Sequence, residues 1–176
     1  MTTIRLSRTL NAVLALILMG ILSSAYFQQY FKQETPCPLC LLQRLGMIGV
    51  AIGAILNLRF GIQPLHYGFS LLSAFFGGSV SVRQILLHIC PGSPVFGYPV
   101  FGLSLYTWAF LTFCSSVIAV VLLLFLYSAN DKDKFKMNWF ERLACIAVFA
   151  LTFLNFITTF DECALGFCKD IPWPQK

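Results

Sequence analysis

Residues 36–58 read PCPLCLLQRLGMIGVAIGAILNL: two cysteines a helical turn apart between prolines, then an arginine, then an apolar run. Pro36 and Pro38 cannot donate the amide hydrogens that a helix interior needs, but they suit a first turn. The segment therefore reads as the entry of a helix. From Leu39 to Leu58 it is long enough, at about 1.5 Å per residue, to cross the ~30 Å hydrocarbon layer of a bilayer.

The rest of the chain repeats that pattern. With 176 residues, 58% of them hydrophobic and 11% charged, the composition excludes an ordinary soluble domain. Five apolar runs stand out, Leu10–Phe27, Leu39–Leu58, Leu65–Ile89, Leu103–Tyr127 and Trp139–Phe160, leaving a tail at 161–176. They predict an all-α membrane protein, one integral membrane domain over residues 1–176. The first run, with Arg5 and Arg8 ahead of it and SSA within it, also has features of a cleavable signal. Polar residues return only at Gln28 and Gln29, so a retained first helix is the expectation.

Basic residues flanking helices bias which ends stay in the cytoplasm. With the N-terminus inside, Arg5, Arg8, Arg59, Lys132, Lys134, Lys136 and Arg142 fall on the inner face, against Lys32, Lys169 and Lys176 outside. Seven against three favours that orientation and puts the C-terminal tail outside. Charges so few and scattered do not form a nucleic-acid patch.

This topology gathers Cys37, Cys40, Cys90, Cys163 and Cys168 at the outer face, where an oxidising compartment permits disulfides. No His/Cys set has structural-zinc spacing, so no metal site is predicted. Cys114 and Cys145 fall within runs and read as small buried hydrophobes. A lone C-x-x-C serves metal sites, structural disulfides and redox centres alike. Its place at a helix N-terminus narrows the reading, because free amides and the helix dipole stabilise a thiolate, the species that exchanges disulfides.

Arg44 lies at i+4 from Cys40 and i+7 from Cys37, on the same helical face. An arginine at that depth is costly unless compensated. It can snorkel to the outer headgroups, or it can face an electron-rich oxygen held beside the cysteines. A lipid-soluble quinone supplies such an oxygen and accepts the two electrons that a dithiol loses. Arg83 and His88, late in the third run, are further candidates to line that pocket. Gln43 diverges from Arg44 by about 100° around the helix and is left out of the site.

CPLCLLQR (37–44), with RQILLHICPGSP (83–94) and GLSLYTWAF (102–110), resembles the bacterial disulfide-bond formation protein B family, DsbB, over about Leu10 to Tyr127. The resemblance implies a four-helix transmembrane core in the inner membrane, to which this chain adds a fifth helix. It also implies an enzyme that takes electrons from a reduced periplasmic DsbA-type thiol oxidase and passes them to ubiquinone or menaquinone. By the same resemblance Cys40 faces the quinone, Arg44 contacts its oxygen, and Cys37 exchanges with a second cysteine pair.

That second pair is where the sequence departs from the family. Well-known members carry it in a long loop between helices three and four, whereas PGSPVFGYPVFGLS (91–104) holds no cysteine. DECALGFC (161–168) follows the fifth run instead, so Cys163 and Cys168 are the expected shuttle disulfide. A static staple of those two, or a pairing of Cys90 with one of them, stays open on sequence alone. Two rival functions also stay open. One is a vitamin K epoxide reductase-like quinone reductase, which typically places its cysteine pair at the end of a later helix. The other is a non-catalytic membrane scaffold whose disulfides are only staples.

Overall fold

A computed structural model describes residues 3–31, 37–89, 99–127 and 137–163, of Glu162 and Cys163 the backbone only. Five helices follow in order: α1 (Thr3–Phe31), α2 (Pro38–Phe60), α3 (Pro64–Leu87), α4 (Leu105–Phe125) and α5 (Trp139–Cys163). Each is long and apolar enough to cross a membrane, which makes this a multi-pass membrane protein.

The ends follow local chemistry. α2 and α3 each begin with a proline in the first turn, and Gly61 separates them at φ 94°, a backbone conformation that favours glycine. Before α4, Val100 and Leu103 exchange both backbone hydrogen bonds (2.9 and 3.1 Å) around Phe101 and Gly102, which both have positive φ. Trp108 Nε1 donates to the Val100 carbonyl at 2.9 Å and pins that turn to the helix it precedes.

Helices α1 to α4 close a four-helix bundle in chain order, and α5 packs against α1 and α2. α2 touches all four others, so it has no face left for lipid along most of its length, which explains an apolar pattern without a polar stripe. Its glycines make that possible. A Cβ on Gly46 would lie 2.9 Å from the Gly77 Cα of α3, so the two backbones are in direct contact there. A Cβ on Gly77 would fall within the ring of buried Phe113 from α4, whereas at Gly78 the nearest atom would be 3.7 Å away. Gly77→Ala is therefore expected to destabilise the detergent-solubilised protein by about 1–3 kcal/mol in thermal unfolding. Gly78→Ala should leave it within about 0.5 kcal/mol or gain slightly. Equal effects at the two positions would contradict the close packing.

At the end of the bundle opposite the cysteines, polar side chains interlock. Asn11 Nδ2 donates to Tyr67 Oη at 2.9 Å, Asn57 Nδ2 donates to Asn11 Oδ1 at 3.3 Å, and Asn57 Oδ1 accepts the Gln63 amide at 3.0 Å. Arg8 Nε and Nη2 donate to the Glu141 carboxylate at 2.9 and 2.6 Å, joining α1 to α5, with both residues buried. These contacts explain why α1 begins at Thr3 rather than at Leu10. Arg8 reads in sequence as a flanking charge, yet it, Ser7 and Asn11 are each partnered inside the bundle. Cys114 also departs from expectation. It lies on the outward side of α4 and is exposed, while Cys145 is half-buried.

Candidate active site

Cys37 is the N-cap of α2, and its Sγ accepts the Cys40 amide at 3.2 Å. The first turn thus brings the two side chains together, and they form a disulfide. Both cysteines are half-buried, so an incoming thiol can reach them. One turn further along, Gln43 and Arg44 diverge toward different neighbouring helices, as a separation of about 100° around the helix allows.

Gln43 turns toward α3, where its Nε2 donates to Gln84 Oε1 at 2.8 Å. Gln84 in turn points its Nε2 at the disulfide, 3.3 Å from Cys37 Sγ and 3.6 Å from Cys40 Sγ. Arg44 turns toward α1. Its Nη1 donates to Gln29 Oε1 at 2.6 Å, and its guanidinium carbon lies 4.6 Å from the centre of the Tyr26 ring. Tyr26 Oη then donates to Asn155 Oδ1 of α5 at 3.0 Å. The arginine is 7% exposed, so it does not snorkel to the surface; polar and aromatic groups of α1 partner it within the bundle.

His88 caps α3. Its Nδ1 lies 2.8 Å from the Gln84 carbonyl oxygen, which can only accept, so that nitrogen carries the hydrogen. The ring stacks on Tyr106 of α4, centroids 5.3 Å apart. Arg83 is exposed on the outer side of α3. Cys163 is the last residue of α5, at the same end of the bundle as Cys37, with its side chain outside the described residues. Cys90 and Cys168 also lie outside the described residues. Among the described residues, no group of three or more His, Cys, Asp or Glu has the geometry to hold a metal ion.

Four features thus meet at this end of the bundle: a capped helix entry, one neutral carboxamide that reaches both sulfurs, a buried cation one turn in, and an imidazole at the neighbouring helix end. Residues 7–97, just over half of the chain, match the family model of disulfide bond formation protein DsbB. The chain belongs to the DsbB family. It is similar to the disulfide bond formation protein B of Burkholderia pseudomallei strain 1106a, 33% identical over 94 residues, 51% of this chain and 55% of that relative. The counterpart from Chromobacterium violaceum is 38% identical over 82 residues, 43% of this chain and 48% of the relative. The one from Cupriavidus metallidurans is 31% identical over 86 residues, 48% and 53%. The chain thus spans about half the length of these curated relatives. No solved structure matches it.

The DsbB match takes in α2, α3 and most of α1, with Tyr26, Gln29, Gln43, Arg44, Gln84 and His88; α4 with Tyr106 and α5 with Asn155 lie beyond it. Gln84 is the site residue that sequence reasoning missed. A glutamine in an apolar helix is a signal, since buried polar groups in membranes need partners. Which of the polar residues near that helix end turns inward depends on how α3 meets α2, and spacing within one helix does not reveal it.

Proposed function

We propose that this DsbB family member is an inner-membrane thiol:quinone oxidoreductase that reoxidises a periplasmic DsbA-like thiol oxidase, with ubiquinone or menaquinone as electron acceptor. The observation that carries the reading is the half-buried Cys37–Cys40 disulfide capping α2, with buried Arg44 one turn deeper. The N-terminus is then cytoplasmic and the cysteine end periplasmic, as the distribution of basic residues favours.

In this scheme the reduced partner attacks the Cys163–Cys168 disulfide, and the tail dithiol that results attacks Cys37. Each step forms one S–S bond and breaks another, so electrons and protons balance. Cys40 leaves as a thiolate within reach of Gln84 Nε2, 3.6 Å from its Sγ, one helical turn before Arg44. That α5 ends at the same end of the bundle as the entry to α2 supports the tail as shuttle.

The residues present fit a quinone. Arg44 offers positive charge to a carbonyl oxygen, and Leu42 and Leu45, exposed beside it, offer an apolar flank open to lipid. A bound quinone supplies the capacity to take up two electrons and two protons. The chain's part is to hold that oxygen at Arg44, with His88 at the neighbouring helix end, and to present Cys40.

Purified protein reducing a soluble quinone analogue, driven by a reduced thioredoxin-like protein, tests the reading. Arg44→Leu should raise the KM for the quinone by about 10- to 100-fold, the worth of a hydrogen bond to a charged group. An unchanged KM would remove Arg44 from the quinone site. Loss of turnover in Cys37→Ser but not in Cys163→Ser or Cys168→Ser would reject the tail shuttle while keeping the core pair.

A further inference from the structure

When the Cys37–Cys40 disulfide opens, a negative charge appears on sulfur at the edge of a low-dielectric bundle, where an anion without a donor is costly. Gln84 Nε2 already reaches both sulfurs, at 3.3 and 3.6 Å. Its orientation is fixed. Gln43 Nε2 donates to its oxygen at 2.8 Å, which turns the amino edge of the carboxamide toward the disulfide. Gln84 is 1% exposed and Gln43 6%, so water does not compete for either amide. The Gln84 backbone is held too, its carbonyl taking the His88 Nδ1–H and the His88 ring stacking on Tyr106.

We propose that the Gln84 carboxamide, oriented by Gln43, is the hydrogen-bond donor that stabilises the thiolate released when the Cys37–Cys40 disulfide is opened. The proposal rests on the reading above that this pair undergoes thiol–disulfide exchange. A thiolate attacks Cys37 Sγ, the bond to Cys40 Sγ breaks, the electron pair stays on Cys40, and the Gln84 N–H moves with the charge. A neutral donor suits a site that alternates between an uncharged disulfide and an anion. A lysine there would be an unpaired charge in the oxidised state, whereas an amide is neutral in both. Gln84 touches the reacting sulfur and is a catalytic residue; Gln43 is a positioning residue.

The test uses the full chain, reduced in detergent, and follows the rate at which iodoacetamide alkylates Cys37 and Cys40 across pH. Gln84→Met, close in shape but without a donor, should lower the thiolate fraction near neutral pH about tenfold. Its redox equilibrium against glutathione should shift toward the disulfide. Gln84→Glu, which puts a carboxylate beside the thiolate, should lower that fraction further, and Gln43→Leu should reproduce part of the Gln84→Met effect. A Gln84→Met protein that keeps its helical spectrum, alkylation profile and glutathione equilibrium would overturn the proposal. So would an unchanged Gln84→Glu, which tests the same contact should the methionine variant misfold. These readouts need no quinone. Wild-type protein that fails to reduce quinone while its Gln84 variants alkylate slowly would sink the proposed activity and leave this role standing.

Discussion

Cys40→Ser is expected to lower the proposed quinone reduction at least about a thousandfold, because the residue assigned to carry the electron pair to the acceptor loses its thiolate chemistry. Structural damage is not the cause expected. Position 40 is half-buried in the first turn of α2, where serine is well tolerated, and the turn stays capped by the Cys37 sulfur. Cys37 keeps its thiolate but has no disulfide of its own, so it exchanges only with an oxidised partner: mixed with the oxidised thioredoxin-like protein, the variant should trap a mixed disulfide as one partner sulfur leaves as a thiolate, visible on non-reducing gels. Cys37→Ser makes the matching control, since serine is a favoured N-cap and should keep the helix start intact while preventing the mixed disulfide. Retention of more than about a tenth of wild-type turnover by Cys40→Ser would reject the assignment of Cys40 as the residue facing the acceptor.

The largest loss of stability is expected at the other end of the molecule. Glu141→Ala removes the carboxylate that takes two hydrogen bonds from Arg8, and takes its ion pair away from a guanidinium buried among α1 and α5. Breaking one side of a buried pair costs about 3–5 kcal/mol, whereas replacing both partners with apolar groups of similar volume is often neutral. The double variant Arg8→Leu/Glu141→Leu should therefore be more stable than Glu141→Ala alone, as judged by the midpoint of denaturant unfolding in micelles. Additive losses in the double variant would mean that the two charges are not coupled. A chain shortened before Trp139 would lose this ion pair together with the packing of α5 on α1 and α2.

Much of this was legible in the residues. Long apolar runs separated by short polar stretches specify membrane helices on length alone, and the five helices lie where the runs are. The relation of Cys37, Cys40 and Arg44 was also legible, because spacing within one helix fixes which residues share a face. What spacing does not contain is the register between helices. Arg8 read as a topology-setting charge, yet its partner lies on α5, far away in sequence. Gln84 sits next to Arg83 in an apolar segment, and only the contact of α3 with α2 turns the glutamine inward and the arginine out. Cys114 has the same origin: α4 is apolar all round, so its sequence does not say which side meets lipid.

The Cys37 sulfur accepts the Cys40 amide whether it is bonded to another sulfur or carries a charge of its own. Under the proposed activity, the first turn of α2 is therefore expected to stay wound through the redox cycle, with little backbone rearrangement between the two forms. If the pair cycles as proposed, the helix entry serves both forms as one fixed platform, and the chemistry is confined to side-chain sulfur.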